Sequence, residues 1–267
     1  MNERAPLLVR SRDIWKEPPP EGGGFAAHAL APFPLPRGLL APFGVFCVDT
    51  ADRVVALTYD DGPHPDHTPG ILDALGEASA HATFFVLAEQ ATAHPGLTRR
   101  IVAEGHELAL HGQDHTALTT LSDDDALARI TLAKERVEDI AGRAVTLFRP
   151  PYGKHTAGQA RGIRALGLEL VIWSSHAWDW IDADAVTVAR TALDGVFPGG
   201  IVLLHDHRAD PETIGAHESL PAFDKAEVAR IILTELAAAD YAIVTTGDLL
   251  ASHRQVRSAL RDRMRRE

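Results

Sequence analysis

Two short stretches of the sequence contain residues whose types and spacing could bind a metal ion. Asp60 and Asp61 are adjacent in ALTYDDGPHPDH, directly after an apolar run that we expect to form a buried strand. Burying a carboxylate is costly unless a charge, a metal ion or several hydrogen bonds compensate it. His111 and His115 in HGQDH are four residues apart, so one helical turn after a strand would bring both imidazoles to the same side. Together with Asp61 they form a ligand set that binds a divalent transition metal and leaves positions open for water and substrate.

Polar residues at other predicted strand ends supply the groups that a hydrolase needs. A metal with open positions lowers the pKa of bound water and polarises a carbonyl. Asp60 could then take the proton as base, and His205 in VLLHDH could return it to the leaving group as acid. Arg149 in RPPYG would keep Asp60 ionised, and Asp179 in HAWDW would orient His205 and raise its pKa. The prediction of a hydrolase site rests on all of these residues together and not on the histidine pair alone. Histidine pairs at this spacing arise often in a chain with 14 histidines.

Some of these residues also have an ordinary structural interpretation. The aspartate pair alone would be read as a turn before Gly62 and Pro63. His205 alone would be read as a core histidine bonded to Asp206 or to a neighbouring loop. Trp173, Trp178 and Trp180 are predicted first as barrel packing, because aromatic residues at strand ends usually pack there. The functional alternative, in which one of them lines a sugar-binding groove, is favoured for Trp180.

The elements that must position these residues alternate between strand-like and helix-like segments, which is typical of a largely parallel sheet. We predict about seven strands, and the residues with candidate roles fall at their carboxyl ends, where parallel-sheet enzymes build their sites. The clearest helix is LSDDDALARITLAKERVEDIAG, in which Ser122 caps the start and Gly142 closes the end. Periodicity alone leaves open whether the sheet is a barrel or an open doubly wound sheet.

Composition narrows the class of partner and the domain plan. The net charge of −11 argues against binding to nucleic acid or an anionic membrane, and no run has membrane-spanning length. The single cysteine, Cys47, excludes an intramolecular disulfide and is expected to pack in the core. With no signal-peptide pattern at the amino terminus, we expect a cytoplasmic location. We divide the chain into an irregular Pro/Gly-rich segment (1–45), a catalytic domain (46–250) and a basic, solvated tail (251–267).

Five short sequence motifs resemble, in their residues and in their order along the chain, those of the polysaccharide deacetylase family, also called the NodB-homology domain or carbohydrate esterase family four. They are TYDDGP (TFDDGP in the family), HGQDH (H-S/T-x-x-H), RPPYG (R-x-P-Y-G), HAWDW (D-x-x-D-W) and LLHDH (L-x-L-H). The resemblance spans roughly residues 50 to 250. The departures are Gly112 in place of a hydroxyl residue, His176 in place of the first aspartate of the aromatic element, and Tyr59 in place of phenylalanine.

The resemblance implies a fold, a cofactor and a set of roles. The implied fold is an α/β distorted (β/α) barrel of about seven parallel strands. Asp61, His111 and His115 would bind a divalent metal, zinc first, with cobalt or nickel as alternatives. The further roles it implies are Asp60 as base, His205 as acid, Arg149 as the partner of Asp60, Asp179 as the residue that tunes His205, and Tyr152 as a backbone N–H donor to the oxyanion.

We therefore expect a metal-dependent deacetylase that removes N-acetyl groups from an amino-sugar substrate of the N-acetylglucosamine type. Deacetylation or deformylation of a small N-acylated metabolite and O-deacetylation of a glycan are alternatives within the same chemistry. A catalytically silent carbohydrate-binding protein is a hypothesis from a different class. The sequence does not specify the oligomeric state.

Overall fold

The structure is a computed structural model of the 267-residue chain, and it describes residues 5–10, 14, 24, 25, 29 and 37–258. The strands in chain order are β1 (Leu7–Val9), β2 (Val45–Asp49), β3 (Val54–Asp60), β4 (Thr83–Leu87), β5 (Glu107–Gly112), β6 (Leu147–Phe148), β7 (Glu169–Leu170), β8 (Ser175–His176), β9 (Ile201–His205), β10 (Ala242–Ile243) and β11 (Arg254–Ser258). Seven parallel strands form a curled half-barrel, in the order β7-β6-β5-β4-β3-β9-β8, and β10 adds to β3. The barrel predicted for this chain is thus confirmed.

Helices pack around this sheet, as expected where parallel strands are joined by crossovers. They are α1 (Arg37–Leu40), α2 (Thr68–Glu77), α3 (Ala88–Ala93), α4 (Pro95–Ala103), α5 (Asp123–Ala141), α6 (Ala157–Ala165), α7 (Ala185–Asp194), α8 (Lys225–Ala238) and α9 (Thr246–Ser252). Every residue of the central strand β3 is buried, because both of its faces are covered. Within the described residues, none of the helices has the length and apolar composition needed to cross a bilayer.

Helix α5 begins and ends at the residues that its sequence predicts. The Ser122 hydroxyl oxygen accepts a hydrogen bond from the backbone N–H of Asp125 at 3.1 Å. Gly142 ends the helix in a left-handed conformation with φ of 67°, which glycine adopts without steric cost. Local side-chain chemistry therefore fixes the bounds of this element.

One predicted strand, LELVIWSS (168–175), is divided in two. Its first part, β7, pairs with β6, whereas its continuation β8 pairs with β9 at the opposite end of the strand order. Between them, the backbone N–H of Ile172 donates to the carbonyl of Val45, and that of Ser174 donates to the carbonyl of Ile201. The prediction of one continuous strand is wrong because this segment changes partners as it crosses the seam of the barrel.

Residues near both ends of the chain form a second, three-stranded sheet in the order β1-β11-β2. Strand β11 lies in the segment predicted as a solvated tail, and that expectation is wrong for residues 254–258: Val256 and Arg257 are buried there. The Arg257 guanidinium contacts the Glu169 carboxylate of β7 at 2.9 Å, and Arg164 of α6 contacts the same carboxylate at 2.7 Å. Cys47 of β2 is buried, as predicted. The limits chosen for the three segments stay a prediction, as does the structure of residues 259–267, which lie outside the described residues.

Glu169 should stabilise the fold through the two cations that it neutralises. Burial alone would raise its pKa, but Arg257 and Arg164 outweigh that effect and lower it. We expect Glu169→Gln to lower the free energy of unfolding by about 3 kcal/mol at neutral pH, because a buried guanidinium loses its counter-charge. The measurement is urea unfolding.

The pH dependence of this loss has a defined sign. A carboxylate whose pKa is lowered by folding contributes stability above its ordinary pKa and loses it as the pH falls through the lowered value. The difference between the wild type and Glu169→Gln should therefore shrink in acid. The control is Glu77→Gln, which removes an exposed partner of Arg230 and should change stability little. An equal loss in both variants, or a loss independent of pH, would contradict this account.

Candidate active site and metal centre

The loop after β3 places two carboxylates at the carboxyl end of the barrel. Asp60 is the last residue of the strand, and Asp61 follows in a left-handed conformation with φ of 78°. Gly62 has no room for a Cβ atom because the Asp206 carboxylate lies against it. Asp206 is fully buried and accepts a hydrogen bond from the Thr68 hydroxyl at 2.6 Å. This packing explains why glycine follows the two aspartates.

His111 and His115 converge as predicted, but through a different backbone path. His111 lies within β5, and His115 follows in a bend, not in a helical turn. Gly112 makes this path with a φ of 130°, a value that other residues rarely adopt. Asp114 supports the bend: it accepts from the backbone N–H of Thr116 at 3.1 Å and forms an ion pair with Arg129 of α5 at 2.5 Å. The turn thus has side-chain support although Gly112 carries no hydroxyl.

The three predicted ligand residues fit a single cation. Asp61 Oδ1 lies 3.3 Å from His111 Nε2 and 3.5 Å from His115 Nε2, and the three atoms lie within 4.8 Å of one another. Tetrahedral ligands about 2.0–2.2 Å from zinc would be about 3.4 Å apart. Asp61 Oδ1 is buried and has no hydrogen-bond partner among the described residues. A buried, unpaired carboxylate oxygen facing two imidazole nitrogens is what a metal site requires.

Interactions around these residues prepare their metal-binding atoms. His111 Nδ1 lies 2.8 Å from the carbonyl oxygen of Arg149, which directs its proton there and leaves Nε2 as a lone-pair donor. Burial acts to raise the pKa of Asp61, but the contact with His111 and the charges of His115 and His205 outweigh it and hold that pKa well below its usual range. Asp61 is therefore an anion at neutral pH, as a ligand to a dication should be.

Asp60 has a buried cationic partner. Arg149 Nη1 donates to Asp60 Oδ1 at 2.6 Å and to the Thr58 hydroxyl at 2.8 Å, and none of the arginine is exposed. The guanidinium carbon also lies 4.0 Å from the centre of the Phe85 ring. Asp60 Oδ2 is left 3.8 Å from His111 Nε2, beside the ligand cluster. The predicted pairing of Arg149 with Asp60 is present and rigidly packed.

His205, at the end of β9, is paired with Asp179 and not with Asp206. Its Nδ1 lies 2.8 Å from Asp179 Oδ1, and its backbone N–H donates to Asp179 Oδ2 at 2.7 Å. Burial would lower the pKa of His205, but Asp179 outweighs it and raises that pKa to about 9. Lys225 of α8 is buried 3.6 Å from Asp179 Oδ2. The imidazole is thus protonated at neutral pH, as an acid must be.

Asp210 is a residue of the site that sequence reasoning missed. It lies in the loop after β9 and places Oδ2 3.4 Å from His115 Nδ1. The same oxygen accepts a hydrogen bond from the hydroxyl of Tyr152, whose ring centre lies 4.3 Å from that of His115. The sequence predicts only a backbone role for Tyr152, and the structure adds these side-chain contacts. No spacing in the sequence marks Asp210, since only the folded loop brings it to His115.

The tryptophans differ from one another in their surroundings. Trp180 meets His205 edge to face, with ring centres 5.5 Å apart, so it borders the site, and its role in a sugar-binding groove stays a prediction. Trp173 is half-buried and lies 5.8 Å from the Arg149 guanidinium. Trp178 is 52% exposed, and its prediction as barrel packing is wrong. Its backbone leaves β8 with φ of 55°, which turns it out of the core.

Comparison with known proteins agrees with this geometry. Residues 48–171 match the family model described as polysaccharide deacetylase. The peptidoglycan-N-acetylglucosamine deacetylase PgdA of Listeria monocytogenes is 33% identical over 77% of this chain, which spans only 40% of that protein. A peptidoglycan-N-acetylglucosamine deacetylase of Bacillus cereus is 31% identical over 76% of this chain and 91% of its own length. The solved structure of peptidoglycan deacetylase PdaC from Bacillus subtilis superposes with a TM-score of 0.64 at 31% identity, covering 74% of this chain and 90% of that one.

A half-barrel of parallel strands with an Asp-His-His cluster at its carboxyl edge places this chain in the class of α/β barrel-like proteins with a candidate metal site. Within that class, this chain belongs to the polysaccharide deacetylase family. The family resemblance drawn from the five motifs is therefore confirmed. The chain spans less than half the length of the PgdA protein that it matches, so its activity and substrate are matters for proposal.

Asp210 should tighten metal binding by orienting His115. Carboxylates that contact a metal-bound histidine typically change metal affinity by about 10–100-fold when they are replaced. We expect Asp210→Asn to weaken zinc binding by a factor in this range, measured by competition with a chromophoric chelator. The control is Asp194→Asn, at an exposed acid at the end of α7, which should bind zinc like the wild type. Equal zinc affinity in Asp210→Asn and the wild type would contradict this role.

Proposed function

We propose that this protein is a metal-dependent hydrolase that removes N-acetyl groups from an amino-sugar substrate of the N-acetylglucosamine type. The observation that carries the proposal is the Asp61, His111 and His115 cluster, flanked by the Arg149–Asp60 pair and the Asp179–His205 pair. The names of the relatives, which are deacetylases of amino sugars, support the same reaction.

The ligand cluster would hold one divalent cation, and its chemistry favours zinc, with cobalt or nickel as alternatives. When bound, such an ion supplies Lewis acidity and lowers the pKa of coordinated water. The protein orients these ligands from behind: the Arg149 carbonyl accepts a hydrogen bond from His111 Nδ1, and the Asp210 carboxylate lies 3.4 Å from His115 Nδ1.

Asp60 is the base of the proposed reaction. Its Oδ1 is fixed by Arg149, which leaves Oδ2 on the side of the ligand cluster. A carboxylate held in this way can take a proton from the attacking water without moving. The positive charge of Arg149 compensates the burial of the carboxylate between reaction cycles.

His205 is the acid, and it gives a proton to the departing amine nitrogen. Asp179 binds Nδ1, so the proton available for transfer is on Nε2. Lys225 contacts the Asp179 carboxylate and also donates a hydrogen bond to the Asp179 backbone carbonyl at 3.3 Å, which helps to position Asp179. An amine is a poor leaving group unless it is protonated, so this proton transfer is needed for the C–N bond to break.

The remaining predicted residues would hold the substrate. The Tyr152 backbone N–H is proposed to donate to the oxyanion, at a position set by the left-handed φ of 58° within the turn Pro151–Gly153. Trp180 is proposed as a wall of the sugar site, since its ring already contacts His205. The same arrangement would serve O-deacetylation or a small N-acyl substrate.

Removal of one ligand should abolish both metal binding and turnover. We expect His111→Ala to lose stoichiometric zinc and to release acetate from N-acetylglucosamine oligomers more slowly by a factor of about 1,000 or more. The measurements are elemental analysis of the purified protein and acetate release. His217→Ala, at an exposed histidine, is the control and should match the wild type. A chelator-treated His111→Ala protein with full activity would end the proposal. A correctly folded, zinc-loaded wild type that binds these sugars without releasing acetate would support the catalytically silent alternative.

The pH dependence of the rate should report the Asp179–His205 pair. Because His205 must be protonated to act as acid, kcat should fall as the pH rises through the raised pKa of His205, about 9 in the protein without metal. Asp179→Asn removes the charge that raises this pKa, so the alkaline limb should move to lower pH, with a loss of about 100-fold in kcat at neutral pH. Rate profiles of the two proteins measure this shift. An alkaline limb at the same pH in both would refute the assignment of His205 as the acid.

A further inference from the structure

Lys225 has a position that is unfavourable for a cation. It is the first residue of α8, and its exposed fraction is 6%. Lysine is rarely buried to this degree without a charged partner, and the positive end of the helix dipole disfavours a cation in the first turn. The start of α8 is already capped by Asp224, whose carboxylate accepts a hydrogen bond from the backbone N–H of Ala226 at 2.8 Å. The reason for a lysine here therefore lies at its Nζ atom.

The Nζ atom of Lys225 faces Asp179, the partner of the proposed acid. It lies 3.6 Å from Asp179 Oδ2 and donates to the Asp179 backbone carbonyl at 3.3 Å. His205 contacts the same carboxylate: its Nδ1 lies 2.8 Å from Oδ1, and its backbone N–H donates to Oδ2 at 2.7 Å. Two cationic side chains thus share one buried anion.

The surroundings of this group strengthen its electrostatic interactions. Apart from Asp179, the space between the Lys225 side chain and the His205 imidazole is lined by Tyr59, Leu204, Phe223, Val228 and Ala229. Charges in mainly apolar surroundings are poorly screened, so one charge affects another more strongly than at the surface. Burial acts to raise the pKa of Asp179, but His205 and Lys225 outweigh it and lower that pKa. Asp179 is therefore ionised at neutral pH and interacts with both cations.

The charges that face His205 are mainly negative. Burial lowers the pKa of His205, whereas Asp179, Asp61 and Asp60 raise it, to about 9 in total. Asp60 is itself paired with Arg149. The other ionisable groups that face His205 are Tyr59 of β3, His115 after β5, His176 of β8 and Lys225 of α8. An acid that holds its proton too tightly is a poor donor, so a cation on this side of the imidazole has a use.

We propose that Lys225 is a positioning residue that shares the Asp179 carboxylate with His205 and so lets the imidazole release its proton to the leaving nitrogen. This inference rests on the proposed function and names a further residue that acts in it. The proton moves from Nε2 of His205 to the amine nitrogen, which also takes the electron pair of the breaking C–N bond. His205 then becomes neutral, and Lys225 stays beside Asp179 as the counter-charge of a buried anion. Lys225 itself gives and takes no proton.

The test is the proton affinity of His205 in variants that lack the lysine charge. We expect His205 in Lys225→Met to bind its proton about tenfold more tightly, because the imidazolium loses a repelling neighbour and no longer shares Asp179. Its titration midpoint should therefore move up by about one pH unit, and so should the alkaline limb of kcat. At neutral pH kcat should fall about threefold, because a weaker acid donates its proton more slowly.

The measurements are a histidine NMR titration of the zinc-loaded proteins and their rate profiles. The His205 signal is assigned by its absence from His205→Asn. Lys225→Gln, a second neutral variant with a polar tip, should behave like Lys225→Met, and Lys225→Arg, which keeps the charge, should stay near the wild-type midpoint. The control is Lys134→Met, which removes a lysine paired with Glu138 on α5 and should change neither the midpoint nor kcat.

The titration and acetate release separate this inference from the proposed function. An unchanged or lowered His205 midpoint in folded, zinc-loaded Lys225→Met and Lys225→Gln would overturn the role of Lys225. A loss of kcat that is the same at every pH would also overturn it, in favour of a merely structural role. A raised midpoint in a protein whose wild type releases no acetate would support the effect of Lys225 on His205 and contradict the deacetylase. Acetate release by the wild type, with no change of midpoint in the two neutral variants, would overturn this inference alone.

Discussion

The buried guanidinium of Arg149 is the interaction on which the rest of the site depends. The Arg149 side chain donates a hydrogen bond to Asp60 Oδ1 at 2.6 Å, and the Arg149 backbone carbonyl accepts one from His111 Nδ1 at 2.8 Å. This residue, which directly follows β6, thus holds both the proposed base and a proposed metal ligand. An arginine with no exposed surface is costly to desolvate, and it persists here because Asp60, Thr58 and the face of Phe85 compensate it.

The barrel separates the charges of the site into two groups with different chemical tasks. On one side Asp61 meets the two imidazoles, and on the other Asp179 lies between His205 and the buried Lys225. All of these residues except Lys225, which begins α8, lie at or just after a strand end, so their separation follows from the spacing of neighbouring strands. This arrangement allows a low pKa at Asp61 and a high pKa at His205 within the same pocket.

Local and short-range features could be predicted from the sequence. The bounds of α5 follow from Ser122 and Gly142, and the carboxyl ends of the parallel strands predict where Asp60, His111 and His205 gather. The five motifs identify the family and, through it, the barrel.

The features that could not be predicted from the sequence depend on contacts between distant residues. The change of pairing between β7 and β8, the strand β11 and the contact of Asp210 with His115 each depend on residues far apart in the chain. The path from His111 to His115 was mistaken because Gly112 permits a bend that an alternation pattern does not show.

The central claim is that Asp61, His111 and His115 hold one metal ion beside Asp60 and His205. Diffraction from crystals loaded with one equivalent of zinc, recorded on both sides of the zinc absorption edge, tests it most directly. The account predicts a single anomalous difference peak in contact with one carboxylate oxygen of Asp61 and with Nε2 of both histidines. A peak bound by other residues, or none between these three at full zinc occupancy in solution, would contradict it.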